Sequence, residues 1–272
     1  MLCPSLPLAD IVGRMKRRTF AASAAASLTA ATAQQSSRKN AIFEIRTFQL
    51  RNGSDSQMQS LSEFFKDTVL PSAQRAGIGP MGFFANLVAP NGPFLTVLSS
   101  FPSLAGMESA MAKLEADKEF VKKREVFNSR PGLSYVRYCS SLLRAFDSMP
   151  SIEIPPPRES GARVFELRTY ESNNTNSLRK KIGMFQNGEI AIFRRVGLTP
   201  VFFGETMVGA NLPNLTYMLA YDDLAAREKN WRAFGSDPEW QKLRATPGLS
   251  DAEIVSNISN VLLRPLPFSP IR

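Results

Sequence analysis

Apolar positions along this chain switch between two periods, and the switch happens in the same order twice. Residues 42–50 and 163–171 alternate apolar and polar with period two and carry many β-branched and aromatic side chains, which predicts strands. A helical stripe follows each strand: Met58, Leu61, Phe65 and Val69 in the first case, Leu178, Ile182, Phe185, Ile192 and Val196 in the second. Gly77 and Gly197 sit where a C-capping glycine ends a helix. Strands are then expected over 80–88 and 94–100, and over 200–208 and 215–221. Pro90-Asn91-Gly92-Pro93 and the run Gly209 to Asn214 supply the turns between them. Leu104, Met107, Met111 and Leu114 mark a second helix, matched by Leu224, Trp231 and Phe234, and final strands are expected over 134–145 and 254–265. The order β-α-β-β-α-β is that of a ferredoxin-like unit, so the expected class is α+β with two such units in tandem. A single four-stranded sheet leaves one apolar face open. Two units therefore tend to bury their helix-free faces against each other in a barrel-type arrangement.

Direct comparison of the halves supports the duplication. Ile42-Phe43-Glu44-Ile45-Arg46-Thr47-Phe48 returns as Val164-Phe165-Glu166-Leu167-Arg168-Thr169-Tyr170, 122 positions later. An offset of 120 then holds for Gly77 and Gly197, Pro80 and Pro200, Thr96 and Thr216, Asp117 and Asp237, and Leu142-Leu143-Arg144 and Leu262-Leu263-Arg264. The domains are accordingly placed at 41–147 and 162–266. Residues 148–161 contain Pro150, Pro155, Pro156 and Pro157 and read as an extended linker. Such a linker lets the two copies close one barrel within the chain, or lets each pair with a second chain in a homodimer.

Composition removes several chemistries. The chain has no histidine, which excludes the commonest metal ligand and the commonest general base. Its two cysteines are Cys3 and Cys139, and no Cys/His zinc site can be assembled from them. Cys139, in a predicted strand, is expected to be a small core residue. No metal and no cofactor is expected, since no Gly-rich phosphate loop, nucleophile elbow or metal-ligand spacing occurs.

At the N-terminus, Lys16-Arg17-Arg18-Thr19-Phe20 precedes an uncharged Ala/Ser-rich stretch that ends in Ala31-Thr32-Ala33. This is the pattern of a twin-arginine signal peptide over residues 1–33, with Met15 as an alternative start and Gln34 as the first mature residue. The expected location is periplasmic or secreted. Beyond residue 33 there are 29 basic and 23 acidic residues, a modest positive balance. Without basic runs interleaved with aromatics, a nucleic-acid partner is not expected, and no segment is long and apolar enough for an integral membrane span. Lys122-Lys123-Arg124 reads as a solvated helix face.

The two opening strands, Phe43-Glu44-Ile45-Arg46-Thr47-Phe48 and Phe165-Glu166-Leu167-Arg168-Thr169-Tyr170, resemble the "YELRTY" motif of NIPSNAP domains. Tyr221-Asp222-Asp223-Leu224-Ala225-Ala226-Arg227 followed by Asp237-Pro238-Glu239-Trp240 is similar to that family's "Y-x-x-L-A-x-R … D-P-E-W" signature. Copy two carries the full pattern, while copy one is degenerate, with Met107 at the Arg227 position. The resemblance implies a fold of the dimeric α/β-barrel superfamily and does not imply a reaction. Members often carry a histidine in the third strand, where this chain has Tyr217.

Period two places Glu44, Arg46 and Phe48 on one face of the first strand, with Glu166, Arg168 and Tyr170 repeating them. If Phe43, Ile45 and Thr47 meet the helices, the Glu/Arg/aromatic face points into the barrel. There, with Tyr217, it either binds a small anionic or amphiphilic molecule or forms ion pairs that fix the sheets. Arg227 is expected to bridge Asp222 and Asp223 near the start of its helix, and Trp240 to anchor the core. Three functions follow: a small-molecule-binding or interaction module, a cofactor-independent oxygenase or isomerase of a small aromatic or quinone-like compound with Glu44 or Glu166 as base, and a purely structural partner. The first is preferred, which leaves enzymatic activity as the secondary reading.

Overall fold

The computed structural model describes residues 40–53, 57–158 and 161–272. The twin-arginine leader at 1–33 and the alternative start at Met15 lie outside the described residues. The first repeat contains β1 (Ile42–Gln49), α1 (Gln57–Phe64), α2 (Leu70–Ala76), β2 (Gly82–Val88), β3 (Phe94–Phe101), α3 (Leu104–Ala116), α4 (Lys118–Asn128) and β4 (Arg137–Ala145). The second contains β5 (Val164–Glu171), α5 (Thr175–Met184), α6 (Ile190–Arg195), β6 (Thr199–Val208), β7 (Asn214–Tyr221), α7 (Leu224–Ser236), α8 (Pro238–Arg244), α9 (Asp251–Ile254) and β8 (Asn257–Pro265).

Local chemistry accounts for many of these boundaries. Asn174 caps α5 through a hydrogen bond from Ser177, and Ser103 and Asp223 cap α3 and α7 in the same way. Gly77 and Gly197 end the first helix of each repeat in the left-handed region, at φ 82° and 84°, which only glycine enters without cost. The second helical region is two helices, not one. Asp117 and Asp237 accept hydrogen bonds from the second and third residues that follow them and start α4 and α8. A π-helical turn joins α1 to α2 (Phe65–Val69), and another joins α5 to α6 (Phe185–Glu189), so the repeats share even this irregularity.

All eight strands form one closed antiparallel barrel in the order β1-β3-β2-β8-β5-β7-β6-β4. Each repeat supplies four consecutive strands of the wall. The seams between repeats are β2 with β8 and β4 with β6, each with a register shift. The barrel closes within one chain, and no strand from a second copy is needed. At residues 150–153 the linker is held rather than loose. Ala41 N–H donates to the Pro150 carbonyl, Glu153 N–H donates to that of Val201, and Ile152 is buried among the barrel residues.

Phe43, Ile45, Phe84, Leu98, Leu143, Phe165, Phe202, Met218 and Leu263 fill the barrel interior. Phe43 meets Phe202 across the lumen at 5.3 Å between ring centroids, and Phe84 meets Phe165 at 5.0 Å. Burial of each such ring contributes about 1.5–3 kcal/mol. This corrects the expected orientation. The all-apolar face of the first strand of each repeat lines the lumen, and Glu44, Arg46, Phe48, Glu166, Arg168, Tyr170 and Tyr217 lie on the outer face beneath the helices. The reason is that a lumen shared by two sheets excludes water completely, whereas the helix layer offers polar partners and solvent access at its edges. Cys139 is in β4 as expected but is exposed, because the first residues of β4 extend beyond its pairing with β6.

Candidate functional site

In the second repeat, β5 presents Glu166 outward, with no exposure, beneath α7. Six hydrogen bonds converge on its carboxylate. Arg168 Nη1 donates at 2.8 Å, Arg227 Nε and Nη2 at 2.9 and 2.6 Å, Tyr221 OH at 3.0 Å, Trp231 Nε1 at 3.0 Å and Asn260 Nδ2 at 2.8 Å. Burial alone pushes this carboxyl upward. The Arg227 hydrogen bonds, the Arg168 charge and the Asn260 and Trp231 donors outweigh it and hold the pKa at about 2. Arg227 therefore spans from helix to strand instead of bridging Asp222 and Asp223. Asp223 is occupied as the cap of α7.

Aromatic rings fill the rest of this space. Tyr217 stacks on Phe203 at 4.8 Å and bonds Tyr170 OH at 3.1 Å, while Phe193 packs edge-on to Trp231 and Phe234. Trp240 is buried against Phe234 at 4.4 Å. Arg168 lies 4.6 Å over the Trp231 ring. A second buried ion pair sits deeper, where Lys181 Nζ donates to Glu189 at 3.1 Å among the rings of Tyr170, Phe185 and Trp240. Burial pushes Glu189 up to about 7 against the pull of Lys181.

The first repeat has the same frame with smaller occupants. Met107 replaces Arg227, Met111 replaces Trp231, Val97 replaces Tyr217, Ala73 replaces Phe193, and Leu61 and Val69 replace Lys181 and Glu189. The volume given up is a cavity of about 300 Å³ between the sheet and α1–α4. Phe48, Phe64, Phe65, Phe127, Tyr135 and Tyr138 supply its aromatic walls, and Glu44 and Arg46 its polar end. Glu44 is buried, yet only Arg46 Nε (2.6 Å) and Ser140 Oγ (2.7 Å) donate to it, both to Oε1. Among the described residues Oε2 accepts nothing and the two terminal nitrogens of Arg46 donate to nothing. Arg46 keeps 37% of its side chain exposed and lies 5.8 Å from the Tyr138 ring centre. This half can take an apolar ring system with an oxygen anion against Arg46. Among the described residues no group of three His, Cys, Asp or Glu side chains could hold a metal ion.

The strand motif identified Glu44, Arg46, Glu166 and Arg168, which the structure places in two equivalent sites, one per repeat. Trp231, Tyr221, Asn260, Lys181 and Glu189 were not identified from sequence. Lys181 had a signal, because it stands three positions after Leu178 and four before Phe185, on the apolar stripe of its helix.

Residues 165–270, which span the Glu166 hub, match the family model NIPSNAP. The second repeat carries a NIPSNAP domain. The matched residues are those of the filled repeat. Among solved structures it is similar in fold to a candidate monooxygenase from Fusobacterium nucleatum, with TM-score 0.55 and 8% identity over 84% of this chain and 93% of that one. A candidate monooxygenase from Lactobacillus acidophilus gives 0.53 and 12% over 83% and 93%. An uncharacterised NIPSNAP-like domain protein from Burkholderia xenovorans is 26% identical over 40% of this chain and 89% of its own, with TM-score 0.36. No curated protein matches. At these identities the two larger neighbours show the mixed α/β fold with its closed barrel.

Proposed function

We propose that this protein is an exported binding protein in which the first repeat holds a small aromatic molecule bearing an anionic group, and the second repeat is the structural half. Each repeat, residues 41–147 and 162–266, is read as a ferredoxin-like unit, with strand order β4-β1-β3-β2 and its counterpart β8-β5-β7-β6. One observation carries the functional reading. The same position under the helices is packed with rings and ion pairs in one repeat and open in the other, where an arginine with two uncommitted nitrogens faces aromatic walls. Arg46 supplies a fork for a carboxylate or phenolate, and Phe48, Phe65 and Tyr138 supply the apolar contact.

Glu44 Oε2 favours a second reading, a cofactor-independent enzyme in which this oxygen takes a proton from the bound compound. A homodimer is compatible with either reading, since its contacts would lie outside the barrel seams.

Native mass spectrometry of the chain purified from its own host tests the binding reading. An added mass that leaves on gentle activation is expected in the wild type and is absent in Met111→Trp. An unliganded spectrum that stays unliganded with excess 1-naphthoate contradicts it. The same spectrum reads the export proposal: a mature chain beginning at Gln34 supports it, and an intact leader contradicts it.

A further inference from the structure

A second cavity, of about 570 Å³, lies at the β2–β8 seam. Three distant segments build it: the end of the linker with the approach to β5 (Pro157, Arg158, Arg163), the end of β8 (Arg264 to Pro267), and Arg272. Four arginines line it, and its described lining residues include no acid. We propose that this cleft is a binding site for a phosphate group carried by a small molecule.

The two seams provide the internal control. They are related by the same 120-residue offset as the repeats. At the β4–β6 seam, Arg144 stands directly across from Glu205. At the β2–β8 seam, the equivalent Arg264 stands directly across from Ala85. The acidic neighbour present at one seam is missing at the other, and Arg264 has no hydrogen bond or ion pair among the described residues. The remaining arginines are fixed rather than waving in solvent. Arg163 is buried and donates to the main-chain oxygen of Arg272 at 3.0 Å, and Arg272 in turn donates to the Pro267 carbonyl at 2.7 Å. Arg158 donates to the Asp222 carbonyl at 2.6 Å.

Arg158 and Arg163 share one carboxylate oxygen, Asp222 Oδ1, at 3.4 and 3.9 Å. Among the described residues one acid thus serves two guanidiniums inside a concave wall. Burial pushes Arg163 downward, Asp222 raises it and Arg158 lowers it further, so the cluster gains from a bound anion. Guanidinium forks match the paired oxygens of phosphate. Ala85, Pro265, Leu266 and Pro267 give the cavity an apolar wall, which suits an organic portion beside the phosphate.

The test is calorimetric titration of the full chain with pyrophosphate at low and moderate salt, with a flotation arm using vesicles that contain phosphatidate. Expected is saturable binding of one pyrophosphate per chain, weakened about tenfold by Arg264→Gln, a charge-specific loss of the size that one phosphate contact gives. Arg264 is exposed, so its variant folds, and Arg232→Gln, far from the cleft, leaves binding unchanged. Pyrophosphate binding places the source in solution, and vesicle binding alone, if lost in Arg264→Gln, places the same phosphate on a lipid headgroup. Absence of both, or binding that survives Arg264→Gln, overturns the proposal.

Discussion

The two repeats share a backbone plan down to the π-helical turn after Phe64 and Met184, yet they use the space beneath their helices in opposite ways. Repeat two commits both oxygens of its carboxylate. Glu166 accepts from five side chains, and Tyr217, Trp231, Phe193 and Phe234 fill the remaining volume. Repeat one keeps the Glu–Arg pair and drops the residues that saturate it. The lesson is that two copies of one backbone plan can differ in how fully they saturate the same Glu–Arg pair. One copy can carry the polar network, and the other can leave donors uncommitted, because the shared barrel core supports both.

That contrast can be broken at several points. The largest effect is expected at Glu166→Ala, which leaves Arg168 and Arg227 facing each other without a counter-charge and costs about 3–5 kcal/mol in urea unfolding. Glu44→Ala costs less than about 1.5 kcal/mol, because the half-exposed Arg46 returns to water. Equal losses at both sites would remove the asymmetry. Acid titration gives the same contrast. Glu166 is depressed to about 2 from the usual 4.5, so its contribution is complete above pH 4.5 and is lost as pH falls toward 2. The acid limb should flatten in Glu166→Gln.

Trp231→Met, which copies repeat one into repeat two, is expected to cost about 2–4 kcal/mol through the lost ring and the cavity left behind. An unchanged denaturation midpoint would show that the ring is not packed as described. Next is Lys181→Leu, also a copy of repeat one, at about 1–3 kcal/mol, because Glu189 is left without its partner. Adding Glu189→Val should recover most of that loss, as replacing both members of a buried pair often does. A double-mutant cycle reads it, and simple additivity would contradict the pairing.

A further effect is a slope. Glu189 is raised to about 7, so the folded state holds a proton there that the unfolded state releases above about pH 4.5. Stability should therefore rise as pH falls from about 7 to 4.5, opposite in sign to the Glu166 limb below it. Thermal midpoints across that window check this, and Glu189→Gln should remove the rise.

Much of this architecture was legible because its periods are strong. The eight strands, the capping glycines and the 120-residue register could all be read from side-chain order, since a barrel wall and its helix layer impose strict alternation. Which face of β1 meets which layer was not legible. Phe43 and Ile45 are apolar enough for either the lumen or the helices, and only closure of the second sheet over them decides it. The Glu166 hub needed Trp231 and Asn260, which lie far away in the chain, and nothing in their local sequence marks them as partners. The cavity in repeat one was hidden for a different reason. It arises from several modest reductions in size at once, at Ala73, Val97 and Met111, and each alone looks like ordinary core variation.

The asymmetry is tested most directly by fluorescence titration with 8-anilinonaphthalene-1-sulfonate, an aromatic anion of the proposed type. Wild type, Met111→Trp and Arg46→Gln are compared at a pH where all three remain folded. The account predicts one saturable site per chain, abolished by Met111→Trp, which fills the cavity at a cost below about 1.5 kcal/mol, and weakened about tenfold by Arg46→Gln. Binding that is unchanged in Met111→Trp would place the ligand elsewhere and contradict the claim that repeat one is the open half.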